Sequence, residues 1–168
     1  CLSGDEHNKR LRTSVLVERG DTTIVIDAGP DFRQQMLRAS VRKLDGIILT
    51  HEHKDHIAGM DDVRAFNDKS QDAIDIYAEE RVQKAIKREY SYVFAEYQYP
   101  GIPKMRLNTI TDYPFTVKGL TITPLRAFHY RLPVYGFRIG DFAYITDANY
   151  VPEETKDLLA GVKYFVIN

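Results

Sequence analysis

Several scarcities narrow this sequence before any motif is read. Tryptophan is absent, and cysteine occurs once, at Cys1. A single thiol cannot close an internal disulfide, so a disulfide-stapled scaffold is excluded, and the scarcity agrees with a reducing compartment. No run of about 18 apolar residues exists, which removes a helical membrane span. The polar opening CLSGDEHNKRLR has no apolar stretch that could serve as a secretory signal. The expectation is a cytoplasmic protein with no membrane partner. Charge of one sign is missing too: 23 basic and 24 acidic side chains give a formal net charge of −1. Their signs alternate along the chain, so no clear nucleic-acid surface is announced. Repeats, low-complexity segments and linkers are also absent.

What is present suits one globular domain over residues 1–168, since 43% of the residues are hydrophobic. Ser14-Val15-Leu16-Val17 and Thr23-Ile24-Val25-Ile26-Asp27 are β-branched runs around Arg19-Gly20-Asp21, which predicts a hairpin. Asp31 is placed to cap a helix through Ala39, and Gly46-Ile47-Ile48-Leu49-Thr50 reads as a buried strand. Val82, Ile86, Tyr90, Val93, Phe94 and Tyr97 recur at helical spacing, which predicts a long amphipathic helix ending before Pro100-Gly101. By that spacing the tyrosines of 90–99 are core contacts rather than a stacking platform for bases. Lys84, Lys87 and Arg88 read as a solvated face, interleaved as they are with apolar residues.

A meander follows, with strands Phe115–Val117, Leu120–Thr123, Tyr135–Ile139 and Phe142–Thr146 joined by Lys118-Gly119 and Gly140-Asp141. Pro152–Leu159 then reads as a short helix, and Val162–Ile167 as a buried strand. Hairpins mixed with helices place the chain in the α/β or α+β class. An apolar strand at the last residues and a start at Cys1 lead to the expectation that the domain is incomplete at both ends.

Three of the five histidines lie in Thr50-His51-Glu52-His53-Lys54-Asp55-His56, directly after the buried strand. H-x-H-x-D-H offers four metal-competent side chains at once. On an extended turn His51 and His53 point the same way, while Asp55 and His56 begin the next turn and face a second ion. Imidazole and carboxylate suit zinc, manganese or iron, and the lack of thiolates argues against a purely structural zinc knot. His7 has only the reading of an exposed polar residue.

This motif after an apolar strand is similar to the signature of the metallo-β-lactamase superfamily, whose fold is an αββα sandwich. The resemblance implies that Asp27 is the early aspartate supporting the metal loop, that His129 is a further ligand, and that Asp147 bridges the ions. His51, His53 and His129 would hold one ion, with Asp55 and His56 on the other. A last histidine normally follows near the C-terminus, where it also serves as general acid, so the resemblance implies a further C-terminal segment and little activity without it. The stretch Asp27-Ala28-Gly29-Pro30-Asp31-Phe32-Arg33 resembles the PhnP-like phosphodiesterases. In that group an N-terminal cysteine cluster binds structural zinc, of which Cys1 would be the last member.

The activity implied is hydrolysis of a small or cyclic phosphodiester at a dinuclear centre, by a metal-bound hydroxide that is available near neutral pH. Two divalent cations, less Asp55, Asp147 and one hydroxide, leave about one positive charge for an anionic substrate. Asp55 and Asp147 are the expected catalytic carboxylates. A thioester hydrolase of glyoxalase II type and a non-catalytic metal-binding scaffold are the alternatives. The long basic arm of transfer-RNA processing relatives has no counterpart here. Analogy with the subgroup leads to the expectation of a homodimer.

Overall fold

The computed structural model describes residues 2–168; Cys1, and with it the structural zinc expected there, lies outside the described residues. Strands β1 (Val15–Arg19) and β2 (Thr22–Ile26) form the expected hairpin, with Arg19 opposite Thr22 across Gly20-Asp21. The chain continues through α1 (Phe32–Arg38), β3 (Gly46–Ile48), α2 (Lys54–Ile57), α3 (Arg64–Ser70), β4 (Ile74–Ala78), α4 (Glu80–Glu89) and β5 (Met105–Thr109). Strands β2 to β5 run parallel, giving a first sheet of order β1-β2-β3-β4-β5.

The second sheet is a meander of β6 (Phe115–Val117), β7 (Leu120–His129), β8 (Leu132–Ile139) and β9 (Phe142–Ile145). After α5 (Glu153–Leu158), β10 (Tyr164–Ile167) returns parallel to β9 and completes the order β10-β9-β8-β7-β6.

Period-2 alternation assigns each strand's side chains to two different layers. Ile24, Ile26 and Ile48 face Tyr135, Phe137 and Tyr144 of the second sheet and form the core between the sheets. Their neighbours Val25 and Ile47 point the other way, into a core with Phe32, Ile57, Val63, Val82 and Ile86. On the far face of the second sheet, Leu125, Ala127, Val134 and Ile145 pack with Leu159 and Val162. Helices, sheet, sheet and helix therefore stack as the αββα sandwich. One bond ties the sheets beside the histidine loop, with the Tyr135 N–H donating to the Thr50 carbonyl at 3.0 Å.

The structure departs from the sequence reading at several places. The helix expected to run to Tyr97 stops at Glu89, and a separate turn covers Ser91–Val93. Tyr90 leaves helical geometry at φ −112° and donates its hydroxyl to the Ile57 carbonyl at 2.7 Å. Of the tyrosines assigned to the core, Tyr90 is buried, whereas Tyr97 and Tyr99 are 86% and 57% exposed. Asp31 sits at the start of α1 without a side-chain cap; its carboxylate accepts the Arg12 N–H at 2.7 Å instead. Finally, β10 is an edge strand whose four apolar side chains are exposed rather than buried. Lys84 pairs with Glu80 at 2.8 Å and Arg88 with Glu89 at 3.1 Å, as on a solvated helix face. His7 is exposed, 2.9 Å from Asp5. Among the described residues, no helix is long and apolar enough to cross a membrane.

Candidate metal centre

Four strand ends converge on one edge of the sandwich. Asp27 follows β2, the histidine loop follows β3, His129 ends β7, and Asp147 stands two residues after β9. Both aspartates adopt left-handed backbone, at φ 63° for Asp27 and 56° for Asp147. Aspartate tolerates this region better than most residues, and such conformations collect at functional sites. His53 occupies the position before α2, so Asp55 and His56 emerge from the first turn of that helix.

Close backbone approach holds this loop down. Ala28 N–H donates to the His56 carbonyl, and Gly59 N–H to the Ala28 carbonyl, both at 2.8 Å. A Cβ on Gly29 would lie 2.0 Å from the Asp55 carbonyl oxygen, and one on Gly59 would lie 2.0 Å from that of Gly29. Only glycine fits at either crossing.

At the floor, Asp27 is fully buried and its carboxylate takes up every donor in reach. It accepts the Thr50 N–H at 2.9 Å, the Thr50 hydroxyl at 2.8 Å and the His56 Nδ1–H at 2.8 Å. With its hydrogen given to Asp27, the Thr50 oxygen can only accept, and His51 Nδ1 lies 2.9 Å from it. Both imidazoles therefore commit their Nδ1 hydrogen to an oxygen acceptor and turn Nε2 to the site.

These nitrogens point at Asp147. Its Oδ2 is 3.1 Å from His56 Nε2 and 3.7 Å from His51 Nε2. One ligand atom each from His51, His56 and Asp147 lies within 4.8 Å of the others, and the same holds for His53, His129 and Asp147. Asp147 is common to both groups. His51 borders both as well, since its Nε2 is 3.1 Å from His53 Nδ1. Asp55 stands at the rim, half-exposed, with Oδ2 3.7 Å from His56 Nε2. Five of the six residues singled out as metal ligands thus fall into these groups, with His51 beside His56 rather than with His53 and His129 as expected, and Asp55 at their rim.

Electrostatics prepare the donors. Burial, reinforced by the neighbouring His56 and His53, lowers His51 to about 3, so it is neutral at pH 7 as a ligand must be. Burial also disfavours the His56 cation, but the hydrogen bond and charge of Asp27, with Asp147 and Asp55 behind, raise it to about 9. Asp147 loses solvation by burial, yet the His56 charge and the Thr146 hydroxyl hold it below the usual carboxylate range. At pH 7 His56 is therefore protonated, and its Nε2 faces the Asp147 carboxylate at 3.1 Å. Buried imidazoles oriented by oxygen acceptors, whose Nε2 atoms converge on a carboxylate, are a donor set that fits divalent metal ions.

One contributor carried no signal in the sequence. Arg81 of α4 donates to Glu52, between His51 and His53, and to the Pro133 carbonyl on β8. Pro133 is paired with Phe128, next to His129. A single guanidinium therefore spans the loop and the hairpin that supply His53 and His129.

Known proteins resemble this chain over the same region. The Beta-lactamase superfamily domain matches residues 22–168. The octanoyltransferase of Porphyromonas gingivalis is 42% identical over 170 residues, a match that takes in 100% of this chain and 34% of that protein. The probable metallo-hydrolase YhfI of Bacillus subtilis is 26% identical over 165 residues, or 89% of this chain and 62% of that one. A crystal structure of a diphosphatase from the PhnP family superposes with a TM-score of 0.88 at 32% identity, over 98% of this chain and 63% of the other. The chain thus spans about a third of the first of these relatives and less than two thirds of the other two. Matched across most of its length, it belongs to the metallo-β-lactamase superfamily and has relatives in the PhnP family.

Proposed function

We propose that the protein is a metal-dependent hydrolase of small phosphodiesters, with a dinuclear centre held by His51, His53, His129, Asp55, His56 and Asp147. The observation that carries this reading is the sharing of Asp147 between two groups of ligand atoms, each within 4.8 Å. When bound, two divalent ions supply a water that ionises near neutral pH and positive charge to offset the phosphoryl oxygens.

The chain's own residues do the rest. Asp27 and Thr50 keep Nδ1 of His56 and His51 occupied, so both rings present Nε2. Asp147 and Asp55 are carboxylates at the reacting edge, available to orient the attacking water and accept its proton. The water oxygen bonds to phosphorus as the bond to the ester oxygen breaks, and the proton that a carboxylate took from the water passes to the departing alkoxide. Two dications held by two carboxylates would leave the site net positive, which favours a phosphodiester anion over a neutral ester.

A second reading, cleavage of a diphosphate, draws on the similarity to the PhnP-family diphosphatase. Acyl chemistry is the third arm of the test, because one relative is an octanoyltransferase, although this chain matches only 34% of it. The purified protein is analysed for zinc, manganese and iron beside His51→Ala and Asp147→Ala. The full natural protein is assayed alongside on bis-p-nitrophenyl phosphate, an aryl diphosphate and a glutathione thioester. About two metal equivalents, lost in both variants, with turnover of the diester above the other two substrates, is expected. Preference for the diphosphate replaces the substrate, and preference for the thioester replaces the phosphoryl reading. Absence of metal removes the proposal.

A further inference from the structure

Four two-residue turns connect the antiparallel strands, and each has positive φ at its first residue. Gly20 and Gly140 occupy that position in two of them, at φ 57° and 59°, and Lys118, followed by Gly119, in a third. The fourth joins β7 to β8 through Tyr130-Arg131, and Tyr130 has φ 57°. Glycine and asparagine are the residues such turns recruit, and a bulky aromatic there is strained.

The strain is held from outside the hairpin. Tyr130 N–H donates to Asn149 Oδ1 at 2.6 Å, while Asn149 N–H donates to the Phe128 carbonyl at 3.0 Å. The loop carrying Asp147 is thereby strapped to the hairpin carrying His129. Burial does not hold the side chain, because Tyr130 is 80% exposed. Its ring instead stands 5.5 Å from that of His129, which lies 5.3 Å from that of His53. The adjoining Tyr150, 59% exposed, has its ring 6.0 Å from Phe128.

From this placement we infer that Tyr130 is a specificity-determining residue: a stacking wall beside the metal centre for a planar aromatic group on the phosphate substrate, as in a nucleotide. The inference rests on the metal-dependent phosphoryl hydrolase reading and adds the substrate class. An exposed aromatic ring on a backbone that hydrogen bonds hold in place offers a flat face, and bases of any identity stack on such a face. Thymine, adenine or a nitrophenyl group would serve equally, so preference among bases is weak while preference for a base over none is strong.

The test compares AMP with ribose 5-phosphate as inhibitors of diester hydrolysis, and as ligands by calorimetry, in wild type, Tyr130→Gly and Tyr130→Trp. Both ligands carry the same phosphate and sugar and differ by the base. Wild type should bind AMP more tightly by about 10-fold or more, the scale of base–aromatic stacking. Tyr130→Gly should erase that ratio while ribose 5-phosphate affinity and metal content stay as they were, and Tyr130→Trp should preserve it. The glycine variant should melt at the same temperature or higher, because the backbone strain is relieved. Equal binding of the two ligands by wild type, or an unchanged ratio in Tyr130→Gly, overturns the stacking role alone. A glycine variant that melts markedly lower marks Tyr130 as structural and overturns it too. If wild type hydrolyses no diester, the hydrolase reading falls and takes this inference with it, whereas diester hydrolysis with binding of neither ligand overturns the stacking role alone.

Discussion

Asp27→Asn removes one charge and almost no volume, from a residue that need not touch a metal. In the wild type its two oxygens accept from the Thr50 N–H, the Thr50 hydroxyl and His56 Nδ1–H at 2.8–2.9 Å. Asparagine keeps one acceptor oxygen and turns the other position into a donor. If the oxygen stays on the Thr50 N–H, the new NH2 faces His56 Nδ1, which must then become the acceptor. The hydrogen moves to Nε2, the nitrogen that faces Asp147 at 3.1 Å, and the ring becomes the wrong tautomer for a metal. Supporting contacts of this kind are worth about 10- to 100-fold in metal affinity.

Stability of the metal-free protein changes as well. His56 is raised from 6.5 to about 9, for which the hydrogen bond and charge of Asp27 are the leading causes against the penalty of burial. At about 1.4 kcal/mol per unit, returning it toward 6.5 removes on the order of 3 kcal/mol below that pH. Metal affinity is read by competition with a chromophoric chelator, the tautomer by 15N NMR of the imidazoles, and stability by urea unfolding after chelation. Affinity within twofold of wild type, together with a hydrogen still on His56 Nδ1, refutes the reasoning.

For the metal-free wild type, stability should peak near pH 6.5. His51, held at about 3, stays neutral when folded while its unfolded counterpart protonates below 6.5, so stability falls as pH drops from there. His56 contributes fully below 6.5 and loses its contribution as pH rises through about 9. Urea midpoints at pH 5, 6.5 and 8.5 in excess chelator measure this, and a maximum at pH 8.5 contradicts it. Gly59→Ala places a Cβ 2.0 Å from the Gly29 carbonyl oxygen and 2.6 Å from Phe32 Cβ. Overpacking against backbone should cost about 3 kcal/mol, or roughly 6–12 °C of Tm, and calorimetry showing under 2 °C would overturn the close-approach argument. Arg81→Met unties Glu52 from the Pro133 carbonyl and should weaken metal binding about 10-fold, by loosening the loop from the hairpin. An unchanged chelator-competition curve would leave Arg81 no part in positioning.

Local chemistry is what the sequence displays, and the site divides along that line. Thr50 to His56 could be read directly because four ligand-competent side chains crowd one loop after an apolar strand. Asp27, His129 and Asp147 were legible only through their order along the chain, since nothing local distinguishes His129 from an ordinary strand-end histidine. The hairpin of β1 and β2 announced itself through Gly20-Asp21, whereas the β7–β8 turn did not, because Tyr130-Arg131 carries no glycine and its geometry comes from Asn149 across the loop. Residues 74–78 alternate in burial as a half-covered strand should, but Asp75 and the mixed composition of Met105–Thr109 concealed the β4–β5 pair. The helical spacing of residues 82–97 overran the helix because periodicity cannot register that Tyr90 is held by the Ile57 carbonyl, 33 residues away. At the β7–β8 turn and at the end of α4, a contact between distant segments overrides a local preference. At Tyr130 and Asp147 that override also holds the backbone in a left-handed conformation beside the metal-ligand groups, which is where strain is expected to serve function rather than stability.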